Sequence, residues 1–437
     1  MSITKRTRAL ARSCIRQVSA FLESPRVAFF LGEAVVRCFK DRHGGKGTSL
    51  AVAPSLLVVR LDEIGDVVLT SAFLRELRRN APDSWITLVV KPDVYNLVEL
   101  FPYVNEVLTY DWRVARYAAP LQRRWRALWL SYRHLWRRRF DMAIVPRWDA
   151  DYYHAVFLAY VSGADLRVGY SENVSDHKRQ VNRGYDRLLT HPLTDRTLKH
   201  SVEHNLEVIR FLGGKVQKDH LELWLGCEDE AFAERALRTH GVRTDDLLIG
   251  FGPGSRSPKR IWPLSGFVEL SHRLGKEYDA RIIVVGGSGE EPLGQELQKQ
   301  LGAKVINAVG KATLRQTAAL LKRCHVYVGN DSGPMHLAAA AGVPVVEISG
   351  HPKDGASEHP NSPLRFGPWG VPHIVLQPEA ARMPCIDACT AAKAHCILAI
   401  TVEQVRAAVS QLLENKHTSC AEVGACPADV QSAPDQR

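Results

Sequence analysis

The sequence predicts an α/β protein: two doubly wound, Rossmann-like domains facing each other across a cleft, preceded by a basic N-terminal extension. Three observations carry this. From Ser55 onward, short apolar runs alternate with helix-length segments, the pattern of a parallel sheet covered on both faces. The alternation restarts near Leu247, after a joining stretch at 216–245. The 437 residues are 45% hydrophobic and 24% charged, an ordinary globular composition with enough chain for two cores. That composition excludes a mainly disordered chain, a collagen-like fibre and a membrane channel.

The first domain is expected over 51–215. Leu56–Arg60 reads as a short buried strand, Ile64-Gly65-Asp66 as a turn and Val67–Arg79 as a helix. Further strands are expected at Trp85–Val90, Glu106–Thr109, Asp141–Val145 and Leu166–Tyr170, with a long helix over Leu121–Arg138. A helix over Leu198–Leu212 meets Gly213-Gly214, a plausible C-cap. The second domain is expected over 246–400. Its strands are Leu247–Phe251, Arg281–Val285, Lys304–Ile306, His325–Val328 and Val345–Ile348. Helices at Leu264–Tyr278, Glu291–Leu301, Leu314–Lys322 and Pro334–Ala341 connect them. Ser349–Gly370 is a loop rich in Pro and Gly, 401–416 holds a closing helix, and 417–437 is a small, polar tail that reads as disordered.

Charge is localised. The formal net charge is +10, of which residues 1–50 carry +7 and residues 112–139 carry +9, leaving −6 for the remainder. A mildly acidic globule with two basic attachments points to an anionic surface, either membrane or nucleic acid. Arg12, Arg16 and Glu33 interrupt the N-terminal apolar stretches, so neither a signal peptide nor a spanning helix is expected. Nine cysteines suit a cytosolic chain with reduced thiols.

In open α/β sheets, ligands bind beyond the carboxyl ends of the strands, so the turns after strands are the candidate sites. In Arg60-Leu61-Asp62-Glu63-Ile64-Gly65-Asp66, three carboxylates crowd one strand end, more than a helix cap requires. In Gly252-Pro253-Gly254-Ser255, a glycine turn precedes Arg256, Lys259 and Arg260, which suits a phosphate-bearing ligand. Val285-Gly286-Gly287-Ser288-Gly289-Glu290 ends in an acid able to accept ribose hydroxyls. In Gly329-Asn330-Asp331-Ser332-Gly333-Pro334-Met335-His336, Pro334 fits the first helical position. The amides of Ser332 and Gly333 would then face an anion. The spacing Cys385-x3-Cys389-x6-Cys396, with His395 adjacent, is irregular for a zinc knot, so no metal is expected.

The stretches LVVRLDEIGDVVL, PGSRSPKRIWP, VVGGSGEE and GNDSGPMHLAAAAGVPVVEI, in this order, resemble the motifs of the lipopolysaccharide heptosyltransferase family, family nine among glycosyltransferases. The resemblance covers roughly 55–415. It implies the GT-B fold and an inverting, metal-independent transfer from a nucleotide-activated sugar, usually ADP-heptose, to a lipid-linked core saccharide. The nucleotide sugar is then a co-substrate and no cofactor is implied. Asp66 matches the family's catalytic aspartate. Ser255, Glu290, Asp331, Ser332, Gly333 and His336 match donor-binding positions. The family's basic residue before Trp-Pro falls on Arg260, but Ile261 is inserted here, so Lys259 is the alternative. The first domain becomes the acceptor side and the second the nucleotide-sugar side.

With no metal, the basic residue and the turn amides must stabilise the leaving diphosphate, and a helix N-terminus keeps Asp66 ionised as a weak base. In the predicted Leu121–Arg138 helix, Leu121, Trp125, Leu128, Trp129, Tyr132 and Trp136 share one face, while Arg123, Arg126, Arg133 and Arg137 occupy the rest. A solvated domain helix and a contact with a glycolipid acceptor or the cytoplasmic surface of the inner membrane both fit this pattern. The competing functions are a nucleotide-sugar epimerase of the same fold and a non-catalytic nucleotide-sugar or nucleic-acid binding protein. The acidic remainder argues against nucleic acid.

Overall fold

The computed structural model describes residues 50–113 and 119–422, so the basic extension and residues 423–437 lie outside the described residues. The first sheet contains β1 (Ser55–Arg60), β2 (Trp85–Val90), β3 (Glu106–Thr109), β4 (Met142–Val145), β5 (Leu166–Tyr170) and β6 (His191–Leu193). They are ordered β3-β2-β1-β4-β5-β6, and every pairing is parallel. The second sheet contains β7 (Leu248–Gly252), β8 (Arg281–Val284), β9 (Val305–Asn307), β10 (Val326–Asn330), β11 (Val345–Ile348) and β12 (His373–Leu376). Its order, β12-β11-β10-β7-β8-β9, repeats the topology of the first. Central strands such as β4, β7 and β10 are buried along their whole length. Helices cover both faces of a doubly wound sheet, so no polar alternation survives there.

In each sheet the chain order reverses beside the first strand, between β1 and β4 and between β7 and β10. Such a switch point opens a crevice at the carboxyl ends of the strands. The helices Ile64–Val68 and Gly333–Ala340 follow β1 and β10 and pack against each other at the base of the cleft. Gly65 makes this approach possible: a Cβ built there would lie 2.4 Å from the His336 ring.

Several elements differ from expectation. The predicted helix Val67–Arg79 is two helices, Ile64–Val68 and Ser71–Asn80; Thr70 Oγ1 donates to the Asp66 carbonyl at 2.7 Å at the break. The joining stretch contains a helix, Cys227–Thr239. The closing helix, Val402–Glu422, continues past 416 and packs Val405, Val409 and Leu412 into the core of the second domain. β6 and β12 are additional edge strands. The helix Ala119–Leu130 passes into a π-type turn at Ser131–Leu135.

Candidate active site

The acidic turn after β1 separates its three carboxylates into three environments. Asp62 is buried and clamped by two guanidinium groups: Arg60 Nε lies 3.1 Å away and Arg147 forms a second ion pair. Arg60 in turn donates to the Pro146 carbonyl at 2.6 Å. Glu63 accepts from Lys91 at 2.7 Å, from the Tyr153 hydroxyl, and from Arg256 of the other domain. Burial pushes the Glu63 carboxyl up, but these donors outweigh it and hold the group down at about 2.

Asp66 behaves differently. Its carboxylate is 18% exposed and lies 3.6 Å from Arg60 Nη2. Burial and then the Asp62 charge push its pKa up, and Arg147 and Arg60 only partly oppose them. The expectation that the helix N-terminus leaves Asp66 a weak base is thereby corrected: desolvation and a like charge dominate a helix of one turn. Asp66 is the acid of this turn that faces the cleft with a raised proton affinity.

Across the cleft, Asn330 holds two turns together. Its side chain donates to the Pro253 carbonyl at 2.7 Å and accepts from the Trp262 amide at 3.0 Å. Asp331 pairs with Arg260 Nη1 at 2.8 Å, and Ser255 Oγ donates to the Asp331 carbonyl at 3.5 Å. Ser332 occupies the N-cap position of the helix Gly333–Ala340 without a side-chain capping bond, and Pro334 lies in the first turn. His336 is buried, which lowers its pKa to about 4 and keeps the ring neutral. Its Nδ1 has no hydrogen-bond partner among the described residues.

The cleft is a cavity of about 320 Å³, lined from one side by Asp66, Arg147 and Tyr153 and from the other by Ser255, Arg260, Ser332 and His336. Of the two candidate cations, Arg260 enters this cavity. Lys259 turns away and donates to the Cys389 carbonyl at 2.7 Å. Glu290 lies behind the glycine turn, where a Cβ on Gly254 would overlap its carboxylate at 2.0 Å. Burial raises the Glu290 pKa, and the Gly287 amide, donating at 2.9 Å, opposes the shift.

The sequence model of glycosyltransferase family 9 (heptosyltransferase) matches residues 129–395. The chain belongs to glycosyltransferase family 9. It is therefore a glycosyltransferase, and the epimerase and non-catalytic readings give way. The lipopolysaccharide core heptosyltransferase OpsX of Haemophilus influenzae is 21% identical over 319 residues, which are 72% of this chain and 82% of OpsX. Lipopolysaccharide heptosyltransferase 2 of Salmonella typhimurium is 23% identical, over 68% of this chain and 82% of its own. Among solved structures, a family 9 transferase from Veillonella parvula superposes with a TM-score of 0.69 at 24% identity, covering 85% of this chain and all of its own. The ADP-heptose heptosyltransferase II of E. coli gives 0.59 at 21% identity, covering 83% and 99%. These likenesses show the GT-B fold.

In this transferase, the fold gathers Asp66, Ser255, Arg260, Asp331, Ser332, Gly333 and His336 around one cavity. Arg123, Arg126, Arg133 and Arg137 do not line it. Arg126 is tied to the Asp111 and Arg113 carbonyls at 2.9 and 2.6 Å. Arg133 and Arg137 are exposed. The face that the helical spacing groups together is split: Trp125, Trp129 and Tyr132 are 67%, 54% and 61% exposed, while Leu128 packs against the core and Trp136 donates to the Val161 carbonyl at 2.8 Å. Sequence reasoning missed Arg60, Arg147, Tyr153 and Asn330. The signal was position: Arg60 and Asn330 end β1 and β10, and Arg147 follows β4. It also missed that the irregularly spaced Cys385, Cys389, His395 and Cys396 come together, with ligand atoms within 4.8 Å of one another.

Proposed function

We propose that this enzyme transfers a heptose, with inversion, from ADP-heptose to a lipid-linked lipopolysaccharide core acceptor, using Asp66 as general base and no metal at the reacting centre. One observation carries the reading. Asp66 lines the cavity opposite Arg260, Ser332 and Gly333, and unlike Glu63 it has a raised pKa. A pair of facing sites, one basic in the Brønsted sense and one anion-binding, is what inverting displacement requires.

As the acceptor oxygen attacks C1 of the sugar, its proton passes to the Asp66 carboxylate. The C1–O bond to the diphosphate breaks on the opposite face, and the electron pair leaves with ADP. Burial makes the carboxylate a better proton acceptor near neutral pH. Arg260 and the amides at the start of the helix Gly333–Ala340 are placed to meet the charge that develops on the leaving group. The carboxylates around the cleft already have cationic partners, with Arg60 and Arg147 on Asp62, Lys91 on Glu63, Arg260 on Asp331 and Arg365 on Asp149. Arg260 lines the cavity beside Ser332 and Gly333, which supports a role for a protein cation at the diphosphate. Glu290, on the nucleotide-sugar side, suits the ribose hydroxyls. The Arg256–Glu63 pair joins the domains, which supports a site completed when the two domains meet across the cleft.

Among the described residues no helix is long and apolar enough to cross a membrane. The exposed Trp125, Trp129 and Tyr132 lie next to Arg126 and Arg133, which supports peripheral contact with the anionic cytoplasmic leaflet carrying the acceptor. The test of the transfer is ADP release and product mass with purified enzyme, ADP-heptose and a heptose-deficient lipopolysaccharide acceptor. An added heptose on the core is expected. Activity with a different nucleotide sugar and none with ADP-heptose would refute the donor assignment.

A further inference from the structure

The segment from Pro378 to His395 contains neither helix nor strand, yet its cysteines are among the more buried side chains of the chain. Cys385, Cys389 and Cys396 are 3%, 6% and 0% exposed, and none forms a disulfide. They make an apolar cluster of their own with Ala381 and Ala391, apart from the domain cores. Three thiols and two methyl groups supply too little apolar area to order a loop of this length, and small apolar clusters of this kind ordinarily need a cross-link or a metal.

The geometry suits a metal. His395 Nδ1 lies 3.6 Å from Cys385 Sγ and 3.6 Å from Cys396 Sγ. With Zn–S of about 2.3 Å and Zn–N of about 2.0–2.1 Å, a tetrahedral ion sets sulfur and nitrogen about 3.6 Å apart. All four ligand atoms, including that of Cys389, fall within 4.8 Å of one another. The Thr390 amide donates to Cys385 Sγ at 3.4 Å, the kind of outer hydrogen bond that orients a metal thiolate. The spacing is irregular because the loop doubles back between Cys389 and His395, so spacing along the chain does not by itself decide against a metal here.

We propose that Cys385, Cys389, Cys396 and His395 Nδ1 form a closed, tetrahedral zinc site. Each sulfur binds as thiolate, forming a Zn–S bond as its proton leaves to solvent, and the histidine keeps its proton on Nε2. With no open position, the ion is structural. Its place gives it a purpose. The Cys389 carbonyl accepts from Lys259, and the Asp387 carbonyl accepts from the Ala356 amide at 2.9 Å. Cys389 also shares a recess with Lys259, Arg260 and Asp331. The ion would staple this loop against the back of the basic turn and so hold Arg260 in register with the cleft.

The proposal is tested on the full chain, purified without a metal-affinity column, by elemental analysis and cobalt substitution, neither of which requires transfer activity. About one zinc per chain is expected, and the cobalt form should show strong tetrahedral d–d bands with thiolate-to-cobalt charge transfer. Cys389→Ser and Cys396→Ser should lose the zinc, whereas Cys227→Ser, at an exposed position remote in sequence, should retain it. If the first two variants do not fold, the wild-type stoichiometry and cobalt spectrum still decide. Less than about a tenth of an equivalent of zinc, one equivalent of iron in its place, or an octahedral cobalt spectrum would overturn the assignment.

Discussion

Replacing Asp66 with Asn keeps the shape of the side chain and removes the proton acceptor. The Asn oxygen can still accept from the Glu63 amide, which lies 3.4 Å from Asp66 Oδ2. Arg60 retains Asp62 at 3.1 Å, so no buried cation is orphaned. The expected loss is therefore chemical. General base catalysis is worth about 10²–10⁴-fold, or roughly 3–5 kcal/mol of barrier at 1.36 kcal/mol per decade. The donor KM should change little, because no donor-side residue is altered. Stability should move the other way. A carboxyl with a raised folded pKa binds protons more tightly in the folded state than in the unfolded one, so its contribution to stability grows as pH falls through the folded pKa and is a cost at neutral pH. Asp66→Asn should accordingly melt no lower than wild type at pH 7. In the wild type, the acidic limb of kcat/KM should lie above the ordinary carboxyl range, and it should vanish in the variant. Steady-state ADP release across pH, with a thermal melt of the same samples, makes the measurement. A variant with turnover within a factor of about three of wild type would refute the base assignment. So would a rate loss accompanied by a large fall in melting temperature.

Arg260→Gln should lower kcat/KM for the donor by about 10²-fold, the scale of one preorganised donor at a developing charge; Lys259→Gln should do less, and the reverse order in donor kinetics would exchange their roles. Gly65→Ala places a methyl group against the His336 ring and should destabilise by about 1–3 kcal/mol, read as a lowered midpoint in urea; an unchanged midpoint would show that the two helices part easily. Replacing Trp125, Trp129 and Arg133 with Ala, Ala and Gln should weaken co-sedimentation with anionic vesicles, each surface-near basic residue being worth about 1 kcal/mol. The rate with a detergent-soluble acceptor should be preserved, and equal binding of the wild type to neutral vesicles would return the face to an ordinary solvated helix.

How much was legible in the sequence depended on how far apart the interacting residues lie. The central strands were readable because a strand buried on both faces is a continuous apolar run, as in Leu56–Val59. β6 has Pro192 in its middle, and β12 has an exposed His373 and a run of only three apolar residues, Ile374–Leu376, none fully buried; pairing to a neighbouring strand makes them strands. The turns after β1, β7 and β10 were readable as candidate sites because glycine, proline and acid at strand ends have local consequences. Their order along the chain, together with the family motifs, singled out Asp66 and Asp331 and left Lys259 and Arg260 as alternatives for the cation.

The sequence alone determined the alternation of strand and helix, the two-domain plan and the turns from which the candidate site is built. Tertiary structure decided the charge state and the role of each. Arg60 meets the Pro146 carbonyl 86 positions away in sequence, and Arg256 meets Glu63 across 193. Which of three neighbouring acids is clamped, bridged or left with a raised proton affinity follows from these long-range partners. The same holds for Cys385, Cys389, His395 and Cys396, whose spacing is uninformative and whose distances are not. Secondary structure responds to neighbours within a turn or a pleat, whereas desolvation and Coulomb forces respond to whatever the fold brings within a few ångströms.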